Sequence, residues 1–285
     1  MNSTYLIDMP NIDKLLKQSD AGFKRYTGIH KTTFYDMLEA MEEHEASKTK
    51  SGRPSVLSLK EQILLALTYW REYRTLYHIS MDFGIHESSA SRIIRKVEDM
   101  LIDSGRFELP KKLPSRVDED INWSVVIVDA TETPIERPKK TKETTTAARK
   151  KQHTLKAQVI VHWQTGLILD VQTCKGSIHD FKLYKDTCPD WLPENTNYLA
   201  DSGYQGLAKL HNQTFTPFKK PRGGQLLEIC KQANHYLAKF RIVVEHKIGL
   251  IKLFKIVAHK YRNRRQRYDL RMKLFAGIIN SELKL

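Results

Sequence analysis

Residues 123–131 read WSVVIVDAT, a β-branched run closed by an acidic residue. Its length and composition predict a buried strand. Asp129 stands at the polar end of that strand, where a side chain is displayed to a site. Two further strands follow, LKAQVIVHW (155–163) and LILDVQTC (167–174), joined by the tight turn Gln164-Thr165-Gly166. Ser177 is placed to cap a helix over 178–185. Beyond it come a strand at 197–200, a short helix near 205–211, a strand at 214–218 and a long helix over 224–253.

Three successive strands followed by helix, strand, helix, strand, helix is the ribonuclease-H-like order. Three strands run antiparallel and two more join in parallel through helical crossovers. The fold expected is therefore α/β: a ribonuclease-H-like mixed sheet with flanking helices, over residues 121–285. Residues 108–120, including the proline-bounded ELPKKLPSR, form a linker to it.

Upstream, residues 1–107 read as an all-α helix-turn-helix domain. Residues 10–46 suggest two short helices split near Gly28, and EASKTKSGRPS (45–55) has the content of a linker. Ser58 with Glu61 forms a capping box ahead of the apolar face Ile63, Leu64, Leu67 and Trp70. In RTLYHISMDFGIHESSASRIIRKVEDML (74–101) a helix ends near Asp82, Gly84 makes the turn, and a second helix opens near Glu87. Ser80 supplies the small residue that close helix packing demands, and Ala90 and Ile93 fall on the buried face. Ser88, Ser89, Arg92, Arg95 and Lys96 are left outward, suited to a DNA major groove and its phosphates.

The formal net charge is +14, from 47 Lys+Arg against 33 Asp+Glu, with a pI near 9.5. The partner expected is a polyanion, most simply nucleic acid. The excess is uneven. Residues 1–120 carry 18 basic and 19 acidic side chains, and residues 121–285 carry 29 and 14. Two stretches, 137–156 and 255–273, each hold eight basic residues and one acid. Both are interleaved with polar and aromatic groups (His153, Tyr261, Tyr268), which favours phosphate-binding surfaces over a merely solvated face. Lys150 and Lys151 belong to the first of them.

Other classes are disfavoured. No apolar run reaches transmembrane length, the start MNSTYLIDMPNID lacks a secretory pattern, and no membrane partner is expected. Three cysteines without a CxxC pair fit neither a disulfide framework nor a zinc ribbon. A reducing compartment follows, the cytoplasm with association to the nucleoid. There is no HExxH and no GxxxxGK[ST], so neither zinc hydrolysis nor nucleotide hydrolysis is indicated.

Asp129, Asp201 at the end of the fourth strand, and Glu245 within the last long helix are the acids this order lets converge. Hard oxygen ligands of this kind suit Mg²⁺ or Mn²⁺. Taken singly, each acid reads more simply as a turn, cap or solvent-facing residue; their joint placement favours a site. Asp180, in the pair His179-Asp180, is placed either to approach the metals or to cap a helix.

The stretches DATETPIERP (129–138), GSIHDFKLY (176–184), ADSGYQG (200–206) and RIVVEHKIGLIK (241–252) together resemble the DDE transposases of bacterial insertion sequences. The closest group is the one related to eukaryotic PIF/Harbinger elements. Arg241, Glu245 and Lys252 match its R-x3-E-x6-K signature, and 201–206 matches D-x-G-Y-x-G. The phrase TYWREYRTLYHI (68–79) also resembles this group, so the likeness spans nearly the whole chain. The resemblance implies that Asp129, Asp201 and Glu245 are a catalytic triad holding two Mg²⁺ ions, with Arg241 and Lys252 near DNA phosphates. It implies cutting and joining of double-stranded DNA at terminal inverted repeats and target, and pairing two ends calls for at least a homodimer. Two departures stand out. Ala238 occupies a position where relatives often have tyrosine, and KETTTAARKKQHTLK (142–156) keeps the lysines of a basic loop without its aromatics. A non-catalytic DNA-binding descendant and a ribonuclease-H-like nuclease without transposition remain the alternatives.

Overall fold

The computed structural model describes residues 12–49, 52, 54–112, 124–136, 153–263 and 265–283. The chain divides into two compact units. The first runs to Glu108 and includes Lys252–Ala258; the second comprises Leu109–Ile251 and His259–Leu283.

The first unit is helical: α1 (Ile12–Leu16), α2 (Asp20–Thr27), α3 (Lys31–Ala46), α4 (Leu59–Glu72), α5 (Leu76–Asp82) and α6 (Glu87–Asp103), joined by the short α9 (Lys255–Ala258). Three helices stand where two were expected before residue 47. The break at Gly28 is real: its φ of 91° is the left-handed cap that ends α2. The Ser58–Glu61 capping box opens α4, with the Ser58 N–H donating to the Glu61 carboxylate at 2.7 Å. Ile63, Leu64, Leu67 and Trp70 are buried as expected, and so are Leu65 and Ala66, because α4 is packed on all sides. The turn between α5 and α6 follows the expected plan, with Gly84 at φ 61° and Ser80 buried. Ile94, rather than Ile93, is the fully packed isoleucine of α6. Phe254, Ile256 and Val257 are buried in the same unit, where Arg71 donates to the Leu253 carbonyl and Lys255 pairs with Glu72.

The second unit is built on a five-stranded sheet in the order β3-β2-β1-β4-β5. Its strands are β1 (Val125–Pro134), β2 (Thr154–His162), β3 (Ile168–Lys175), β4 (Asn197–Ala200) and β5 (Thr214–Phe215). The β1–β2 and β2–β3 pairs are antiparallel, whereas β1–β4 and β4–β5 are parallel. This is the ribonuclease-H-like order. The helices are α7 (Asp180–Thr187), α8 (Glu228–Ile251) and α10 (Tyr268–Ser281).

Side chains alternate across β1. Val126 and Val128 pack with Ile160, Tyr184, Tyr198 and Tyr204, the layer that includes α7. Ile127 and Asp129 therefore face the other way, toward α8. Helix α10 was not foreseen, because its residues fell within and beyond a segment read as a basic surface. It is apolar through Leu274, Phe275, Ile278 and Ile279, all buried, and Asn280 bridges to both backbone groups of Ile168 at 2.8 and 2.9 Å. The 255–273 stretch is accordingly only partly a surface. Tyr261, Tyr268 and Arg271 are core residues, with the Arg271 guanidinium donating to the Tyr261 hydroxyl at 2.7 Å and Tyr268 sharing a hydrogen bond with Thr133. Lys260, Arg262 and Arg265 remain exposed. Two short 3₁₀ turns, Ser202–Tyr204 and Leu207–Lys209, replace the expected helix near 205–211. No helix among the described residues is long and apolar enough to cross a membrane.

Candidate active site

Strands β1 and β4 pair in parallel with Val128 opposite Ala200. The next residue on each is an aspartate, so backbone pairing alone brings Asp129 and Asp201 side by side. Each carboxylate is fixed by its own backbone. Asp129 Oδ1 accepts from the Ala130 N–H at 2.8 Å. Asp201 caps the 3₁₀ turn, accepting from the Ser202 N–H at 2.6 Å. The third acid, Glu245, comes from α8 one turn after Arg241.

The guanidinium of Arg241 ties these acids together. It lies 3.2 Å from Asp129 Oδ2, 3.5 Å from Asp201 Oδ1 and 3.9 Å from Glu245 Oε1. Asp129 is 15% exposed, Asp201 42% and Glu245 58%, so the site grades from buried to open. Burial pushes the Asp129 carboxyl above its ordinary pKa, against the pull of Arg241. Arg241 Nε is buried with no hydrogen-bond partner, so the arginine is oriented by its carboxylates rather than by a backbone acceptor. The resemblance implies that Arg241 lies near DNA phosphates; its guanidinium stands among the three acids.

The glycines of the ADSGYQG stretch make room for α7. A Cβ on Gly203 would collide with the Asp180 carboxylate, and one on Gly206 with the Phe181 ring. Asp180 is the first residue of α7 and lies 2.5 Å from the ammonium of Lys156, a buried residue of β2 that also donates to the Ile178 carbonyl at 2.6 Å. The N-cap itself is His179, whose ring accepts from the Phe181 N–H. Lys156 is the last cation of the 137–156 stretch expected to face phosphates; it is instead buried within β2 and paired with Asp180. Tyr204 is wholly buried and its hydroxyl has no hydrogen-bond partner. Burial holds that phenol far above its usual range, and the carboxylates of Asp180, Asp129 and Asp201 add to the effect.

Carboxylate oxygens converging on a guanidinium form a donor set that suits a hard divalent cation. Among the described residues, no three His, Cys, Asp or Glu side chains are already grouped as ligands of one ion. A metal would have to displace the arginine's charge or share the acids with it.

In the first unit, Ser88, Arg92 and Arg95 are exposed on α6 and Ser89 is half-buried. Arg92 leans back on its own helix, toward the Ser88 carbonyl and the Ser89 hydroxyl. Lys96 is engaged within the unit, 2.7 Å from Glu45 and 3.2 Å from the Gln62 side chain. Lys252 follows the last residue of α8 and falls in the first unit. Lys150 and Lys151 lie outside the described residues.

Residues 128–280 match the family of DDE superfamily endonucleases, and residues 55–107 match the helix-turn-helix of the same superfamily. A protein of Microchaete diplosiphon, named as a transposase for insertion sequence element IS702, is 41% identical over 96% of this chain and 99% of its own length. One of Streptomyces albus G, named as a transposase for element IS112, is 27% identical over 81% of this chain and 84% of its own.

Proposed function

Because the chain belongs to the DDE superfamily endonucleases of insertion sequences, we propose that it cuts and joins DNA at the terminal inverted repeats of its own element. The observation that supports this most directly is the convergence of Asp129, Asp201 and Glu245 on the single guanidinium of Arg241. These three acids would hold two Mg²⁺ or Mn²⁺ ions. When bound, such ions stabilise the attacking and leaving oxygens of an in-line phosphodiester displacement.

The chain's own contribution is placement and charge. Asp129 and Asp201 are set by the strand ladder and by their backbone N–H bonds. Glu245, on a long helix, closes the site from the exposed side. Arg241 keeps the acids from repelling one another and offers a cation to an incoming phosphate once they turn to other partners. Residues 1–107 would read the inverted repeat, with Ser88, Ser89, Arg92 and Arg95 of α6 toward the groove and its phosphates. Lys150, Lys151 and Lys252 would add phosphate contacts, and pairing of two ends would require at least a homodimer.

The test is cleavage of end-containing duplex DNA with Mg²⁺ or Mn²⁺. Activity is expected in the wild type and absent from Asp129→Ala, Asp201→Ala and Glu245→Ala. Undiminished cutting by any purified variant would remove that residue from the site. Wild-type binding without nicking would favour a DNA-binding descendant, and cutting without end preference or joining would favour a simple nuclease.

A further inference from the structure

The stretch FKKPRGG (218–224) places three cations in seven residues between β5 and α8. Its conformation is fixed at both ends. The Phe218 N–H donates to Asn234 Oδ1 at 2.8 Å, and Asn234 Nδ2 donates back to the Phe218 carbonyl at 3.0 Å. The amide of one α8 side chain thus pairs with the loop as a neighbouring strand would. The Gly224 N–H then donates to the Pro221 carbonyl at 3.2 Å, closing a β-turn with Gly223 third in it at φ 77°. That positive φ is what a type II turn needs at this position, and it leaves Arg222 at the tip.

Lys219, Lys220 and Arg222 are all exposed, and among the described residues none is paired with a carboxylate. Three like charges held together cost repulsion unless a polyanion relieves it.

Its place in the unit points to the ligand. β1, β4 and β5 run parallel, so the chain leaves β5 at the edge where Asp201 leaves β4. Asn234 precedes Arg241 by seven residues and Glu245 by eleven on the same helix. These are two and three turns, so the pin and the acidic site share one face of α8, roughly 10 and 16 Å apart along its axis. Stacked nucleotides advance about 3.4 Å along a strand, so the nearer spacing corresponds to about three phosphates.

We propose that Lys219, Lys220 and Arg222 form a phosphate clamp gripping the DNA strand about three nucleotides from the bond held at the carboxylate site. The clamp deepens the reading above and rests on it for the identity of that bond.

The experiment is a salt titration of binding by the full-length protein to a fluorescent duplex oligonucleotide in EDTA, where no cleavage takes place. Each lost phosphate contact lowers the slope of log K against log salt by about 0.9, so Lys219→Gln/Lys220→Gln/Arg222→Gln should lower it by about 2 to 3. Lys182→Gln/Lys185→Gln, exposed on α7 across the sheet, should leave it unchanged. Asn234→Ala keeps all three charges but frees the loop, and should weaken binding severalfold. An unchanged slope in the triple variant, or an equal fall in the α7 variant, overturns the clamp. A lowered slope together with a wild type that never cuts in Mn²⁺ would uphold the DNA grip and sink the nuclease reading, so the two failures are distinct.

Discussion

Gly203 and Asp180 occupy adjoining space so tightly that the glycine's missing side chain is where the carboxylate lies. Asp180 is held in turn by the buried ammonium of Lys156, so the turn that carries Asp201 is braced from β2. Gly203→Ala must push either the carboxylate or the turn aside. Overpacking of this kind costs about 1–3 kcal/mol. The expected result is a folded protein with a lower Tm and cleavage reduced more than tenfold, with DNA affinity in EDTA unchanged. Wild-type cleavage rates in this variant would show that Asp201 does not depend on the brace.

Arg241 holds three carboxylates without help from any hydrogen bond at Nε. Its removal leaves the acids facing one another. Breaking a buried pair costs about 3–5 kcal/mol and an exposed one at most about 1. The graded exposure here places Arg241→Met between them, at roughly 1–3 kcal/mol. Thermal unfolding in EDTA should show the loss, and millimolar Mn²⁺ should recover more of it than it adds to the wild type. Equal metal-free stability would mean the acids tolerate one another unaided.

Much of this arrangement was legible in the sequence, for physical reasons. An apolar β-branched run ending in Asp129 has few fates other than a buried strand with its acid displayed. The order of elements then fixed which strand Asp201 would join. The Ser58 capping box and the Gly28 break were equally local and equally readable. What escaped depends on tertiary context. In 255–273 the cations outnumber the apolar residues, yet Tyr261, Tyr268 and Arg271 are buried, Arg271 donating to Tyr261 and Tyr268 paired with Thr133. Composition cannot distinguish such a network from a solvated face. Nothing local told Lys156, inside a sheet, that Asp180 would meet it.

His211 should make the stability of the second unit depend on pH. Its ring stacks on Tyr198 with centroids 4.1 Å apart, and its Nε2 lies 2.9 Å from the Tyr184 hydroxyl. Burial lowers its pKa below the ordinary 6.5. The unfolded chain therefore takes up the proton first as pH falls. This contribution is fully present above about 6.5 and is lost as pH drops from there toward the lowered folded value. Urea midpoints at about pH 7.5 and 5.5 should differ more in the wild type than in His211→Gln. Identical differences would clear His211 of the effect.

Phe254 is far in sequence from the helices it supports. It is 1% exposed within the first unit, in a segment tied down through Arg71 and Glu72. Phe254→Ala should cost about 3–5 kcal/mol. Hydrogen exchange of the full chain should show the loss concentrated in α4. Unaltered protection there would mean that the first unit is complete without residues 252–258.

The parallel pairing of Val128 with Ala200 has a broader meaning. Asp129 and Asp201 are neighbours because their strands share a ladder, although 72 positions separate them in the chain. Their spacing is set by the ladder and by the Lys156–Asp180 brace on the turn after β4, not by the number of residues strung between them. The central chemistry is insulated from the length of the polypeptide. Drift in this lineage should therefore accumulate as insertions and deletions between motifs, while the gap between the two aspartates in space stays constant.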